Sequence, residues 1–100
     1  MTVTATATLD ANSLGANGAE ITMTIETLIS LYLIGDTGDQ INRRATLEYT
    51  ADGTNWFADP HSLNGNGNIL TNQVVATKAR ACICAVEGAA STVKVILIAR

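Results

Sequence analysis

The sequence predicts an all-β fold, an antiparallel sandwich or small barrel of about seven to eight short strands. Three observations carry that prediction. Apolar and polar residues alternate with period two through most of the chain. No segment of about 10 to 15 residues has the look of a crossover helix, which parallel strands would need. The breaks between runs are made of Gly, Asn, Asp and Ser, the residues of turns.

The runs follow in order. "TVTATATL" sets Val3, Ala5, Ala7 and Leu9 on one face and threonines on the other. "EITMTIE" sets Ile21, Met23 and Ile25 against Thr22 and Thr24. "LISLYLI" is nearly all apolar, the pattern of a central strand covered on both sides. "ATLEYT" alternates Leu47 and Tyr49 with Thr46, Glu48 and Thr50. "NILTNQVVAT" is less regular but rich in β-formers. "KARACICAV" sets Ala79, Ala81, Ile83 and Ala85 against Lys78, Arg80, Cys82 and Cys84. "STVKVILIA" sets Val93, Val95 and Leu97 against Thr92, Lys94, Ile96 and Ile98. The breaks are "DANSLGANGAE", "GDTGDQINRR", "ADGT", "DPHSLNGNGN" and "EGAAS". Residues 11 to 19 or 35 to 44 have room for one short helical turn.

The chain reads as a single β domain over residues 1–100, with 1–19 as a strand and loop open to engagement with neighbouring subunits. The first strand is flat, uncharged and weakly fixed in register. It lacks the Lys or Pro that usually blunts a free edge. Pairing with a neighbouring chain and ordinary pairing within one subunit both fit it.

Asp52-Gly53 is a hairpin signal. A two-residue turn would set Thr50 opposite Asn55 and Tyr49 opposite Trp56, with Leu47, Tyr49 and Trp56 on one face. A three-residue turn with a Gly bulge would set Thr50 opposite Thr54 and Trp56 opposite Glu48. The first register is preferred, since it gives an aromatic cross-strand pair. Trp56, the single tryptophan, is then a brace for the hairpin and not a platform for a ligand.

No catalytic signature is present, and the reading assigns no catalytic, cofactor-binding or metal-binding residue. His61, the single histidine, could bond Asp59, but no nucleophile elbow, HExxH or phosphate loop accompanies it. Asp36 and Asp39 in "GDTGDQ" read as solvated turn acids, since a calcium loop needs more clustered oxygens. Cys82 and Cys84 share a strand face. A disulfide between them would be poorly shaped, so both are expected as buried free thiols.

Only 15% of the residues are charged and the net charge is −3, against about 25% charged in an average domain. Nucleic acid is excluded as a partner, since it calls for a basic stripe. The apolar runs fall far short of a bilayer-spanning helix, so no membrane partner is expected. "MTVTATATLD" lacks the basic start and apolar core of a secretory signal, which points to synthesis in a cytoplasm. Scarce charge leaves two readings: a monomer covered in Thr, Ser and Asn, or a surface buried against other subunits.

The hairpin is similar to the Y-S-x-D-G-x-x-W hairpins of discoidin-type domains and of many phage virion proteins. It differs from the Asp box of sialidase propellers, which separates Asp from Gly and repeats. From about residue 45 to residue 100, through "ATLEYTADGTNWFADP", "SLNGNGN" and "TKARACICAVEGAASTVKVILIAR", the chain resembles small β-sandwich structural proteins of tailed bacteriophages, of the head decoration or cement type. That resemblance implies a non-enzymatic virion protein without cofactors, made in the host cytoplasm and bound to the major capsid protein or another virion protein. It implies a homo-oligomer, with a trimer favoured. A tail or fibre component and a carbohydrate-binding module are the alternatives. Arg43 and Arg44 are expected as charged anchors to an acidic capsid patch.

Overall fold

The computed structural model describes residues 2–10, 14–35, 44–64, 68–85 and 92–100. Among them run eight strands and no helix: β1 (Val3–Asp10), β2 (Asn17–Thr22), β3 (Leu28–Gly35), β4 (Arg44–Thr50), β5 (Trp56–Asn64), β6 (Asn68–Gln73), β7 (Lys78–Ala85) and β8 (Thr92–Ala99). They form two four-stranded sheets, β1-β8-β3-β6 and β2-β7-β4-β5. Every pairing is antiparallel. Only β4 and β5 are consecutive strands paired in one sheet; every other link crosses between sheets. This order defines a jelly roll. Of the two predicted forms it is the sandwich, so four sheet edges remain: β1, β6, β2 and β5.

Period-two alternation sends one residue set inward from each sheet. The β1-β8-β3-β6 sheet contributes Leu9, Ile29, Leu31, Leu33, Val93, Val95 and Leu97. The facing sheet contributes smaller side chains, Ala19, Ala45, Ala79 and Ala81, together with Ile21, Leu47 and Ile83. Branched residues on one side fill the space left by alanines on the other. At the β1/β2 edge the layers are in close contact. A Cβ built on Gly18 would stand 3.0 Å from Leu9 Cδ2 and 3.1 Å from Ala7 Cβ.

Several element boundaries differ from the sequence reading. β2 starts at Asn17, inside the expected break. A bulge between Gly18 and Ile21, with Ala19 at φ 57°, lets Gly18 and Ile21, three residues apart, both face the core. The strand then ends at Thr22, and Ile25 does not join the Ile21–Met23 face. The Glu26 carboxylate accepts the Ile25 N–H at 2.9 Å and the Thr24 hydroxyl. That local bond offers the backbone an alternative to the ladder and swings Ile25 out to 75% exposure.

β5 runs through Asp59, Pro60 and His61, which the sequence reading placed in a loop. Proline is tolerated there because β5 is an edge strand and the site is a bulge. The β4–β5 register jumps from Thr46↔Ser62 to Glu48↔Ala58. Inside the jump the Thr46 hydroxyl donates to the His61 carbonyl at 2.6 Å, and Asp59 Oδ1 accepts the His61 N–H at 2.8 Å.

β3 lies between β8 and β6 as expected, but the chain covers it on one side only. Ile29, Leu31 and Leu33 are buried, whereas Leu28, Ser30 and Tyr32 are half-buried and Ile34 is exposed on the outer face. Of the segments with room for a helical turn, 17–19 belong to β2 and the ends of 35–44 to β3 and β4. Residues 11–13 and 36–43 lie outside the described residues.

Leu97 is fully buried at the centre of the core. Leu97→Ala should cost about 2–5 kcal/mol of stability. Ile69→Ala, on the outer face, should stay within about 0.5 kcal/mol. Urea unfolding midpoints of the two variants check this difference.

Candidate functional site

The Asp52-Gly53 turn spends its polar groups on itself. Asp52 Oδ1 accepts the N–H groups of Thr54 and Asn55, each at 2.8 Å, and Oδ2 accepts Asn55 Nδ2 at 2.7 Å. The Thr50 hydroxyl accepts the Gly53 N–H at 2.8 Å. Gly53 sits at φ 82°, in the left-handed region that glycine reaches without strain. These bonds, those from the Asn55 and Thr54 N–H groups first, hold the Asp52 carboxyl far below the usual range. The carboxylate therefore braces a turn.

Neither predicted hairpin register forms. Thr50 pairs with Trp56, Tyr49 with Phe57 and Glu48 with Ala58. The loop is 51–55, longer than either turn considered, because Asp52 organises the residues that follow it. Trp56 therefore leaves the Leu47–Tyr49 face and lies on the outer face with Thr50. The Arg80 guanidinium covers it, 3.9 Å from the ring centroid. Arg80 Nε also donates to Glu48 Oε1 at 2.8 Å. Trp56 is half-buried, and one face of its ring is occupied by this protein's own cation.

Asp59 lies in a polar clasp between the sheets. Its Oδ2 accepts the Tyr49 hydroxyl at 2.6 Å and also Asn72 Nδ2, which reaches across from β6. Its Oδ1 faces His61 Nδ1 at 3.1 Å. Burial pushes the Asp59 carboxyl up, but the bonds from Tyr49, His61 and Asn72 together hold it below the usual range. Burial first, then the Asp59 bond, drives the Tyr49 hydroxyl well above its ordinary value. The Asp59–His61 contact considered in the sequence thus exists, but it serves a bulge. Ser62, the adjacent hydroxyl, accepts from Arg44 Nη1 at 3.2 Å and completes no catalytic set. Among the described residues no cluster of three or more His, Cys, Asp or Glu could hold a metal.

Cys82 and Cys84 share the outer face of β7, and both are free. The expectation that both are buried fails for Cys84, which is exposed at the end of the strand. Burial pushes the Cys82 thiol up to about 11. Arg44 begins β4, exposed; Arg43, Asp36 and Asp39 lie outside the described residues.

The two outer faces differ in character. Sheet β2-β7-β4-β5 carries its own ion pairs, Arg80–Glu48 at 2.8 Å and Lys78–Glu20 at 3.6 Å. On sheet β1-β8-β3-β6, Leu28, Tyr32, Ile96 and Ile98 are half-buried, and Ile34 and Ile69 are 42% and 54% exposed. A shallow cleft of about 440 Å³ on this face is lined by Leu28, Ser30, Tyr32, Thr71, Ile98 and Arg100, among others. Outward threonines of β1 flank it. Sequence reasoning found Tyr32, Ile96 and Ile98 but assigned them no role; their signal was a strand apolar on both faces.

No family model and no curated protein matches the sequence. Among solved structures, the crystal structure of the SPBc2 prophage-derived protein YomS aligns over 98% of this chain and 96% of that one, with a TM-score of 0.58 at 12% identity. A structure of Bacillus endospore appendages, a family of disulfide-linked pili, aligns over 98% and 85%, with a TM-score of 0.45 at 17% identity. The first likeness is one of fold, and the second is too distant to add to it.

Two measurements check this geometry. Asp59, Asp52 and Glu26 all have carboxyls held below their ordinary values. Their contribution is full above pH about 4 and is lost as pH falls through the lowered native values. Acid unfolding of Asp59→Asn should show a shallower loss of stability below pH about 4 than the parent. A chromogenic thiol reagent should find one reactive group, Cys84, in the folded protein and two after unfolding.

Proposed function

We propose that the protein is a non-enzymatic virion structural protein that binds a phage capsid as a small oligomer and reinforces it. One observation carries the reading: β3 is apolar on both faces, and the chain covers one. Leu28, Tyr32 and Ile34, continued by Ile96, Ile98 and Ile69, form an apolar outer face with few charges. Surface of this kind is stabilised by burial against another protein, at about 25 cal/mol per Å². The fold likeness to a prophage-derived protein supports the phage assignment.

The major capsid protein is the proposed partner, with contact at junctions between capsomers. Several weak contacts per oligomer act together, so each subunit needs modest affinity. Arg44, exposed at the head of β4, is available as a charged anchor. Against the carbohydrate alternative, Arg80 already stacks on Trp56, and Tyr49 is committed to Asp59.

The test adds purified protein to shells that lack it, the shell being that encoded beside this gene. Saturable occupancy and raised heat resistance are expected. Tyr32→Glu on the outer face should lower occupancy at least tenfold while the circular dichroism spectrum stays that of a β protein. Binding to tail parts alone would move the assignment from head to tail. Binding to no virion part would overturn it.

A further inference from the structure

The four sheet edges are not equally protected. β2 is broken by its bulge and by Ala19 at φ 57°. β5 carries Pro60 and the register jump opposite Thr46 and Glu48. β6 is short, Asn68–Gln73, and its Asn72 is tied to Asp59 on β5. Bulges, prolines and short strands are the devices that stop an edge from recruiting another strand.

β1 has none of them. It runs eight residues, Val3–Asp10, without Pro or Gly. Its register with β8 is unbroken from Val3↔Ala99 to Asp10↔Thr92. It carries no charge before Asp10. Among the described residues β8 is its one hydrogen-bonded neighbour. Alternate residues of such a strand point their N–H and C=O groups away from the sheet, ready to pair.

We propose that β1 pairs antiparallel with β1 of a second copy of this chain, about a two-fold axis at Thr6, to make one continuous sheet from two subunits. This specifies the oligomer of the proposed function and rests on that reading. The strand is complementary to itself in this register. Residue i meets residue 12 − i, so Thr6 meets Thr6, Ala5 meets Ala7, Thr4 meets Thr8 and Val3 meets Leu9. Inward residues meet inward residues, and threonines meet threonines, a favourable cross-strand pair. The half-buried Val3, Ala5 and Ala7 gain cover where the core reaches the sheet edge.

Charge separates this arrangement from others. Each strand has one charged residue, Asp10, at its end. The antiparallel axis at Thr6 sets the two Asp10 residues about 27 Å apart, at 3.4 Å per residue. A parallel pair would set them side by side. An axis moved to Ala5 or Ala7 keeps the face matching but shortens the overlap. Two is the subunit count of this seam, where the family resemblance implied three. The pairing also joins the two outer faces, so Ile96 and Ile98 of both copies flank one central band of threonines.

The test uses the full chain with Cys84→Ser as background. Sedimentation up to about 1 mM should show a reversible dimer. Thr6→Cys should be crosslinked to dimer by a short bismaleimide. Thr8→Cys alone should react at least tenfold more slowly, and a mixture of Thr4→Cys with Thr8→Cys should recover the fast rate. Of Ala5→Pro and Thr6→Pro, the one whose N–H faces the open edge should keep the β-sheet spectrum and lose the dimer. A monomer throughout, a trimer by mass, or equal crosslinking of Thr6→Cys and Thr8→Cys alone would overturn the seam. Shells decorated by a protein that is monomeric in solution would overturn the seam and leave the proposed function standing. A crosslinked dimer that binds no shell would do the reverse.

Discussion

Everything in this molecule depends on two sheet faces of unlike texture pressing together. One face offers leucine, isoleucine and valine; the other offers mainly alanine with a few large residues set between them. Neither sheet would hold alone, since each has a face that water disfavours. The small side chains let the layers approach, and that approach decides what can stand at the open sides. At the β1/β2 side it admits only Gly18 against Leu9 and Ala7. At the β5/β6 side the layers are joined by polar groups, where Asp59 draws Tyr49 and Asn72 onto one carboxylate.

That clasp marks where the sequence could and could not be read. Alternation exposed β1, β4, β7 and β8, because each has a wet or half-wet face opposite a dry one, and β3 was exposed by its continuous apolar run. Alternation placed Ala79, Ala81 and Ile83 of β7 and Val93, Val95 and Leu97 of β8 in the core, and left out Ala99. The bulges were invisible, because a bulge is chosen by a side chain bonding the backbone nearby. Asp59 and Thr46 decide how β5 bends, and Glu26 decides where the second run turns away. "DPHSLN" has the composition of a loop, yet a buried carboxylate and a threonine hydroxyl make it strand. The same local chemistry at Asp52 lengthened the hairpin loop and moved Trp56 to the other face.

The contrast between the two outer faces follows from the same alternation. A charged outer residue can find a partner on the next strand, as Arg80 finds Glu48 and Lys78 finds Glu20. The face is then finished by its own chain. Threonine and isoleucine need no specific partner and leave a surface that is smooth and cheap to dehydrate. This is why the β1-β8-β3-β6 face, and not the face holding the tryptophan, is the one suited to contact. In the sequence "LISLYLI" read as a strand covered on both sides, and nothing showed that it would lie beside "VILIA" on β3 and β8.

The pairing of β1 with β8 also sets a schedule for folding. Val3 meets Ala99, so β1 has no mate until β8 has left the ribosome. Every link except β4–β5 crosses between layers, so few contacts can form early between near neighbours. Such chains fold slowly, because distant segments must meet before the core rewards them. During that wait the flat β1 strand is unpaired on both sides. Valines in place of its threonines would make it a more aggregation-prone segment during that interval.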